Sequence, residues 1–189
     1  MLSTLRNPTF RHLFLAQIVA LVGTGLATVA LGLLAWQLAG DSAGAVLGTA
    51  LAIKMVAYVT LAPLAAAVAE RLPRRAFLVA LDLIRAGVIA CLPFVDQVWQ
   101  IYVLIFFLQA ASAGFTPAFQ AVIPDVLKGE EDYTNALSLL RLAEDLEQLA
   151  SPMIAAALLT IVSFPVLFVG TVLGFIASAL LVEIGRAHV

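Results

Sequence analysis

Apolar residues along the chain fall into six long blocks separated by short polar connections. The blocks are Leu13–Leu38, Ala45–Ala69, Phe77–Val95, Ile101–Ile123, Asn135–Ile161 and Pro165–Val182. They are continuously apolar rather than alternating, which favours helices over strands. A helix needs about 20 apolar residues to cross the hydrocarbon core of a bilayer, and each block comes close to that length or exceeds it. The pattern therefore predicts an all-α membrane protein with six transmembrane helices.

The Lys and Arg residues that lie between the apolar blocks are found only in every second polar connection. Arg6 and Arg11 precede the first block, Arg71, Arg74 and Arg75 follow the second, and Lys128 follows the fourth. The connections after the first, third and fifth blocks contain no Lys or Arg. Short loops rich in Lys and Arg stay on the cytoplasmic side. The pattern predicts a multi-pass protein of the cell (inner or plasma) membrane with a cytoplasmic N-terminus.

The amino-acid composition limits the kinds of molecule that the protein is expected to bind. Hydrophobic residues make up 63% of the chain. The net charge of −2 says little, because the positions of the charges matter more than their sum, but the sequence shows no basic surface for nucleic acid. Cys91 is the one cysteine, and His12 and His188 have no Cys or carboxylate cluster around them, so neither a disulfide nor a metal site is predicted. No cofactor is predicted, and the expected partners are the lipid bilayer and a small-molecule substrate.

Charged and polar side chains within the predicted helices are the candidate functional residues, because a charge near the bilayer centre costs a few kcal/mol and usually faces a partner or a wet cavity. The candidates for a substrate or ion pathway are Gln17, Thr24, Lys54, Gln109, Arg141, Glu144, Asp145 and Glu147. Lys54 has no acid within one helical turn, so it either lines the pathway or pairs with another helix. Gln17 and Gln109 bind either a substrate or a neighbouring helix.

Two charged clusters also have a local explanation. Asp82 and Arg85 are three residues apart, which puts them on one helix face and predicts an intramembrane structural pair. Arg141 can pair with Glu144 or Asp145 in the same way. Glu147 is the acid of this helix with the least obvious partner.

The connection after the second block carries the most specific motif. Residues Ala66–Arg75 read A-A-V-A-E-R-L-P-R-R, which resembles the loop signature G-x-L-A-D-R-x-G-R-R of the major facilitator superfamily, at the place where that family has it. Ala66 and Pro73 replace the two glycines. The resemblance implies a cytoplasmic gating loop whose charges pair across the bundle. Its charged members are Glu70, Arg71, Arg74 and Arg75.

Further stretches resemble the multidrug and siderophore exporter branch of this family. They are Leu5–Gln17, Pro117–Asp125, Asn135–Leu137, and Ser151-Pro152 with Ala155-Ala156, where the antiporter-type element G-P-x-x-G-G has every glycine replaced. Thr24 lies where some members carry an acid, so the resemblance does not support proton coupling through the first helix.

In this family six helices form half a transporter, built of two inverted three-helix repeats, with the substrate site between the halves. The resemblance implies that residues 1–182 are the N-terminal half, with the first, second, fourth and fifth helices facing a central cavity. A C-terminal six-helix half, or a second copy of the chain, would complete it. The implied function is ion-coupled efflux of small amphipathic compounds by alternating access. The alternatives are a half-size homodimeric transporter and a non-transporting membrane scaffold subunit.

An enzyme is not predicted, since the chain contains neither a G-x-S-x-G nucleophile turn with an intramembrane His nor a G-x-x-x-x-G-K-[ST] loop. Residues 183–189 are predicted to be a non-native tail. The string I-G-R-A-H-V can be encoded by ATC GGA AGA GCA CAC GTC, which looks like the start of a sequencing-library adapter, so the chain is expected to be an N-terminal fragment. A native charged cytoplasmic tail is the alternative.

Overall fold

Helices account for nearly all of the computed structural model, which describes residues 4–69, 72–127 and 129–184. The α-helices are α1 (Pro8–Ala39), α2 (Ala43–Ala69), α3 (Arg74–Cys91), α4 (Val98–Val126), α5 (Glu130–Leu159) and α6 (Phe164–Ile184). Short 3-10 turns follow α1 at Gly40–Ser42 and α3 at Leu92–Phe94. No strand occurs within the described ranges, so the all-α prediction is confirmed for them. The predicted tail lies outside the described residues from residue 185 onward.

Four helical stretches are long and apolar enough to cross a membrane, namely Pro8–Ala65, Arg74–Phe94, Val98–Val126 and Phe164–Ile184. The first has 58 residues and includes α1, the turn at Gly40 and most of α2. Since one crossing needs about 20 residues, this stretch is long enough for two. Helix α5 is less apolar because Arg141, Glu144, Asp145 and Glu147 lie near its middle. Six crossings therefore stay a prediction.

Gly40 ends α1. Its φ is 51°, a left-handed conformation that glycine adopts without a steric penalty, and its backbone N–H donates to the carbonyl of Trp36. Helix α2 begins three residues later at Ala43. This explains in physical terms why the predicted connection after the first block is so short.

The helices pack in a specific order. α1 packs mainly against α6, α2 against α4, α3 against both α4 and α6, and α5 against α1. Suppose that the labels α1, α2 and α3 are exchanged with α4, α5 and α6, respectively. Each packed pair then becomes another packed pair: the α1–α6 pair becomes the α4–α3 pair, and the α1–α5 pair becomes the α4–α2 pair. The pattern of helix packing is unchanged by that exchange.

Two apolar clusters fill the two ends of the bundle. One contains Ile89, Ile101 and Phe168, and the other contains Phe10 and Phe119. Between them lie the buried polar side chains Asp82, Arg85 and Ser178. The interior is therefore apolar near both ends and polar in the middle.

Hydrogen bonds join the start of α1, the start of α3 and the end of α4. The side-chain amide of Asn7 donates to the carbonyl of Val126 at 3.2 Å. Arg74 Nη1 donates to Asp125 Oδ2 and to the carbonyl of Ala121, each at 2.8 Å. These contacts bring together three helix ends that the charge pattern predicts to be cytoplasmic; the sidedness itself stays a prediction.

Candidate functional site

A cavity of about 380 Å³ lies in the middle of the bundle and is lined by residues from all of the helices α1 to α6. Cavities of this size bind small organic molecules. Its walls combine apolar side chains, such as those of Leu21, Ile105 and Phe175, with polar and charged ones. Six of the eight predicted pathway residues line it, namely Gln17, Thr24, Lys54, Gln109, Glu144 and Glu147.

Helices α1 and α4 contribute uncharged polar groups. Gln17 and Thr24 are seven residues apart on α1, so they share one face. Thr24 Oγ1 donates to the carbonyl of Ala20 at 2.9 Å, whereas Gln17 Oε1 is buried with no hydrogen-bond partner in the described structure. On α4, Gln109 is joined at the cavity by two side chains that sequence reasoning missed, Ser112 and Thr116. Their spacing of three and seven residues from Gln109 is the signal that could have found them.

Helix α2 contributes Lys54 and Tyr58. Lys54 is half-buried, and no carboxylate of the described residues lies within ion-pair distance of its Nζ. The Nζ atom of Lys54 lies 6.0 Å from the ring centroid of Tyr58, at the limit of a cation–π contact. Tyr58 follows Lys54 by four residues, so the helical period could have predicted that both line one wall.

Helix α5 contributes the carboxylates. Glu147 Oε1 accepts a hydrogen bond from Ser151 Oγ at 2.8 Å, and Glu144 Oε2 accepts one from Arg141 Nη1 at 3.2 Å. Arg141 Nε is also 4.0 Å from Asp145 Oδ1. Arg141 and Asp145 are exposed and do not line the cavity. The structure thus separates these two predicted pathway residues from the other six.

Gly25 determines how closely α1 approaches α5. A Cβ added at Gly25 would collide with the side chains of Ser151 and Glu147. Glycines of the same helix differ in this respect, because a Cβ at Gly32 would meet no atom within 4 Å. The absence of a side chain at Gly25 therefore leaves room for Glu147 to lie against α1 at the cavity wall.

Asp82 and Arg85 form the ion pair that their spacing of three residues predicts, with Arg85 Nη2 donating to Asp82 Oδ1. Asp82 is fully buried, and its Oδ2 accepts a hydrogen bond from Ser178 Oγ on α6 at 2.7 Å. Arg85 also lines the cavity. Sequence reasoning placed Arg85 away from the pathway, because the neighbouring acid already accounted for its charge.

The predicted gating loop is described in part. Arg74 and Arg75 line a recess beside Asp125, and Arg74 makes the ion pair with Asp125 at 2.8 Å. This exposed ion pair joins two helices of the same bundle, α3 and α4. Glu70 and Arg71 lie outside the described residues.

The sequence model of the Major Facilitator Superfamily matches residues 13–186. Comparison with curated proteins and with solved structures gives no match. The family match takes in most of α1 and the whole of α2 to α6, and the helices carry charged side chains around an internal cavity. The chain therefore belongs to the Major Facilitator Superfamily, whose members are membrane transporters.

Proposed function

We propose that the chain is the six-helix bundle of a secondary active transporter that exports small amphipathic compounds by alternating access, driven by an ion gradient. The observation that carries the proposal is the cavity, which is lined by the charged side chains of Lys54, Arg85 and Glu147 within a bundle of long helices. Charged groups at such positions are costly and mark substrate or ion pathways. The apolar part of the wall fits the hydrophobic portion of an amphipathic compound.

Six membrane crossings in two inverted three-helix repeats form part of this proposal. The exchange of α1–α3 with α4–α6 leaves the packing pattern unchanged, as a repeat of three helices requires. Helix α5 is the least apolar, yet Glu144 and Glu147 face the cavity rather than lipid. This placement supports α5 as a crossing helix despite its charges.

A second six-helix bundle is the proposed partner, supplied either by further residues of the same polypeptide or by a second copy of the chain. Alternating access needs two bodies that rock around one site. The apolar side chains of Val59 on α2 and of Leu149 and Met153 on α5 are each more than 70% exposed. These side chains give α2 and α5 apolar surface for such a partner or for lipid.

Ion coupling is proposed to act through α5. Of the described carboxylates, Glu144 and Glu147 are the two that line the cavity. Glu147 has no cation within ion-pair distance in the described structure, whereas Glu144 is partly neutralised by Arg141. Thr24, at the α1 position where some family members carry an acid, offers no proton-binding group. Glu147 is therefore the coupling candidate.

The intramembrane charges favour a transporter over a non-transporting scaffold subunit, which has little use for them. A half-size homodimer differs from the leading proposal only in the source of the second bundle. Counting the subunits of the purified full-length protein distinguishes these two arrangements.

Transport by the full-length protein in everted membrane vesicles tests the proposal. We expect uptake of fluorescent amphipathic compounds when an ion gradient is imposed, since uptake into everted vesicles corresponds to export from cells. We expect Lys54→Ala to slow uptake about tenfold, equivalent to about 1.4 kcal/mol of barrier height. Arg11→Ala is the matched control, because Arg11 is exposed and lies outside the cavity.

Unchanged transport by Lys54→Ala would remove Lys54 from the pathway. No transport of any compound by the full-length protein, under any gradient, would favour the scaffold alternative.

A further inference from the structure

The guanidinium of Arg85 is enclosed at the cavity wall. Its central carbon lies 4.0 Å from the ring centroid of Phe115 and 4.6 Å from that of Phe175, and the residue is 6% exposed. Aromatic rings next to a guanidinium attract its charge but are weak hydrogen-bond acceptors compared with oxygen atoms. The N–H groups at the edges therefore need other acceptors.

One edge of this guanidinium lacks an acceptor in the described structure. Nη2 donates to Asp82, but Nε is buried and has no partner. A buried donor without a partner is destabilising, and more so when the group is charged. A structural pair with Asp82 explains only part of this arrangement. Nε itself has almost no accessible surface, but Arg85 lines the cavity, so a bound molecule can supply acceptors to the part of the guanidinium that reaches it.

Two side chains that line the cavity, those of Arg85 and Lys54, carry a positive charge. Asp82 balances Arg85 and also accepts from Ser178, so the α3–α6 pair is close to neutral. Lys54 on α2 adds a positive charge with no ion-pair partner in the described ranges. A cation between apolar helices is stabilised by an anion at the same site.

Helices α1 and α5 contribute acceptors to the same cavity. Glu147 on α5 is a carboxylate held by Ser151, and Gln17 on α1 has a buried oxygen without a donor. Lys54 and Arg85 thus bring donors to the cavity, and Glu147 and Gln17 Oε1 bring acceptors. A molecule bound between them is oriented by its own charge distribution.

We propose that Lys54 and Arg85 form a subsite for the anionic group of the substrate, so that the transported compounds are amphipathic molecules carrying a carboxylate or a similar anion. Lys54 supplies the net charge, and the guanidinium of Arg85 supplies directed N–H donors where it lines the cavity, which suit a planar carboxylate. This proposal rests on the proposed function, since it assigns a substrate class to the same cavity.

Three dansyl compounds of different charge test the subsite. They are dansylglycine, a carboxylate; dansylamide, which is neutral; and dansylcadaverine, an ammonium. Binding to the full-length protein in lipid nanodiscs is followed by dansyl fluorescence, with empty nanodiscs as the background. We expect a Kd for dansylglycine about tenfold or more below that for dansylamide.

Two variants test which side chains cause the preference for dansylglycine. Lys54→Gln removes the unpaired charge, and the double variant Asp82→Asn with Arg85→Gln removes the pair without leaving one charge buried alone. We expect each to reduce the preference for dansylglycine to about threefold or less. Arg11→Gln, at an exposed position on α1 away from the cavity, keeps the full preference.

A full preference retained by the double variant would overturn the role of Arg85 and leave it as a structural residue. If the double variant does not fold, Arg85→Lys replaces it, because Lys keeps the charge but loses the forked donors. Weaker binding of dansylglycine with unchanged binding of dansylamide then supports the subsite, and unchanged binding of both overturns it.

The two proposals fail in different ways. Binding of dansylamide or dansylcadaverine that depends on Lys54, with no preference for dansylglycine, would overturn the anionic subsite and leave the cavity as a transport site. No binding of any of the three compounds, together with no transport in vesicles, would overturn both.

Discussion

Single and double substitutions in the buried Asp82–Arg85 ion pair are expected to have different effects on the stability of the protein. Removing one partner of a buried ion pair costs about 3–5 kcal/mol, whereas replacing both by apolar residues is often neutral. We expect Arg85→Leu to destabilise the protein by about 3 kcal/mol, and Asp82→Leu with Arg85→Leu to recover most of that loss. Thermal unfolding in detergent measures the difference. Equal destabilisation by the single and double variants would contradict a closely coupled pair.

At the scale of residues, the sequence could predict side chains that share a face of one helix. The spacing of three residues predicts the contact between Asp82 and Arg85, and the observed pair has that geometry. It could not predict that Arg85 also reaches the cavity wall. That position depends on Phe115 from α4 and Phe175 from α6, which no helical period relates to α3.

At the scale of elements, the contact between α1 and α5 depends on one glycine. A Cβ at Gly25 would collide with Ser151 and Glu147, whereas one at Gly32 meets open space. Overpacking of this kind costs about 1–3 kcal/mol. We expect Gly25→Ala to lower the midpoint of thermal unfolding and to impair transport, since it displaces Glu147. Gly32→Ala is the matched control on the same helix, and an equal effect of both substitutions would contradict this account.

The sequence predicted where helices lie better than how they pack. Every apolar block contains or overlaps one described α-helix, and the structure extends several of them, as at Pro8 in α1 and Val126 in α4. The glycines of α1 look alike in sequence, because a small residue permits close packing without specifying a neighbour. Which glycine is used depends on the position of α5, a long-range contact that composition does not encode.

At the scale of the whole molecule, the charge pattern predicts which loops face the cytoplasm. In a Cys91→Ser background, which removes the one native cysteine, Asp96→Cys and Gly129→Cys place single thiols in connections at the two ends of the bundle. We expect a membrane-impermeant maleimide to label Asp96→Cys in intact cells and Gly129→Cys only after permeabilisation, because basic connections stay inside. The opposite pattern would contradict the cytoplasmic N-terminus.

The polar middle of α5 also has a consequence for biosynthesis. Arg141, Glu144, Asp145 and Glu147 make α5 a poor substrate for insertion into lipid by itself. Helix α6 is strongly apolar and follows α5 after a connection of only four residues, 160–163. The translocon is therefore expected to release α5 into the bilayer together with α6, as one hairpin. On the proposal that α5 crosses the membrane, its charged residues at the cavity are thus expected to delay its membrane integration until α6 has been synthesised.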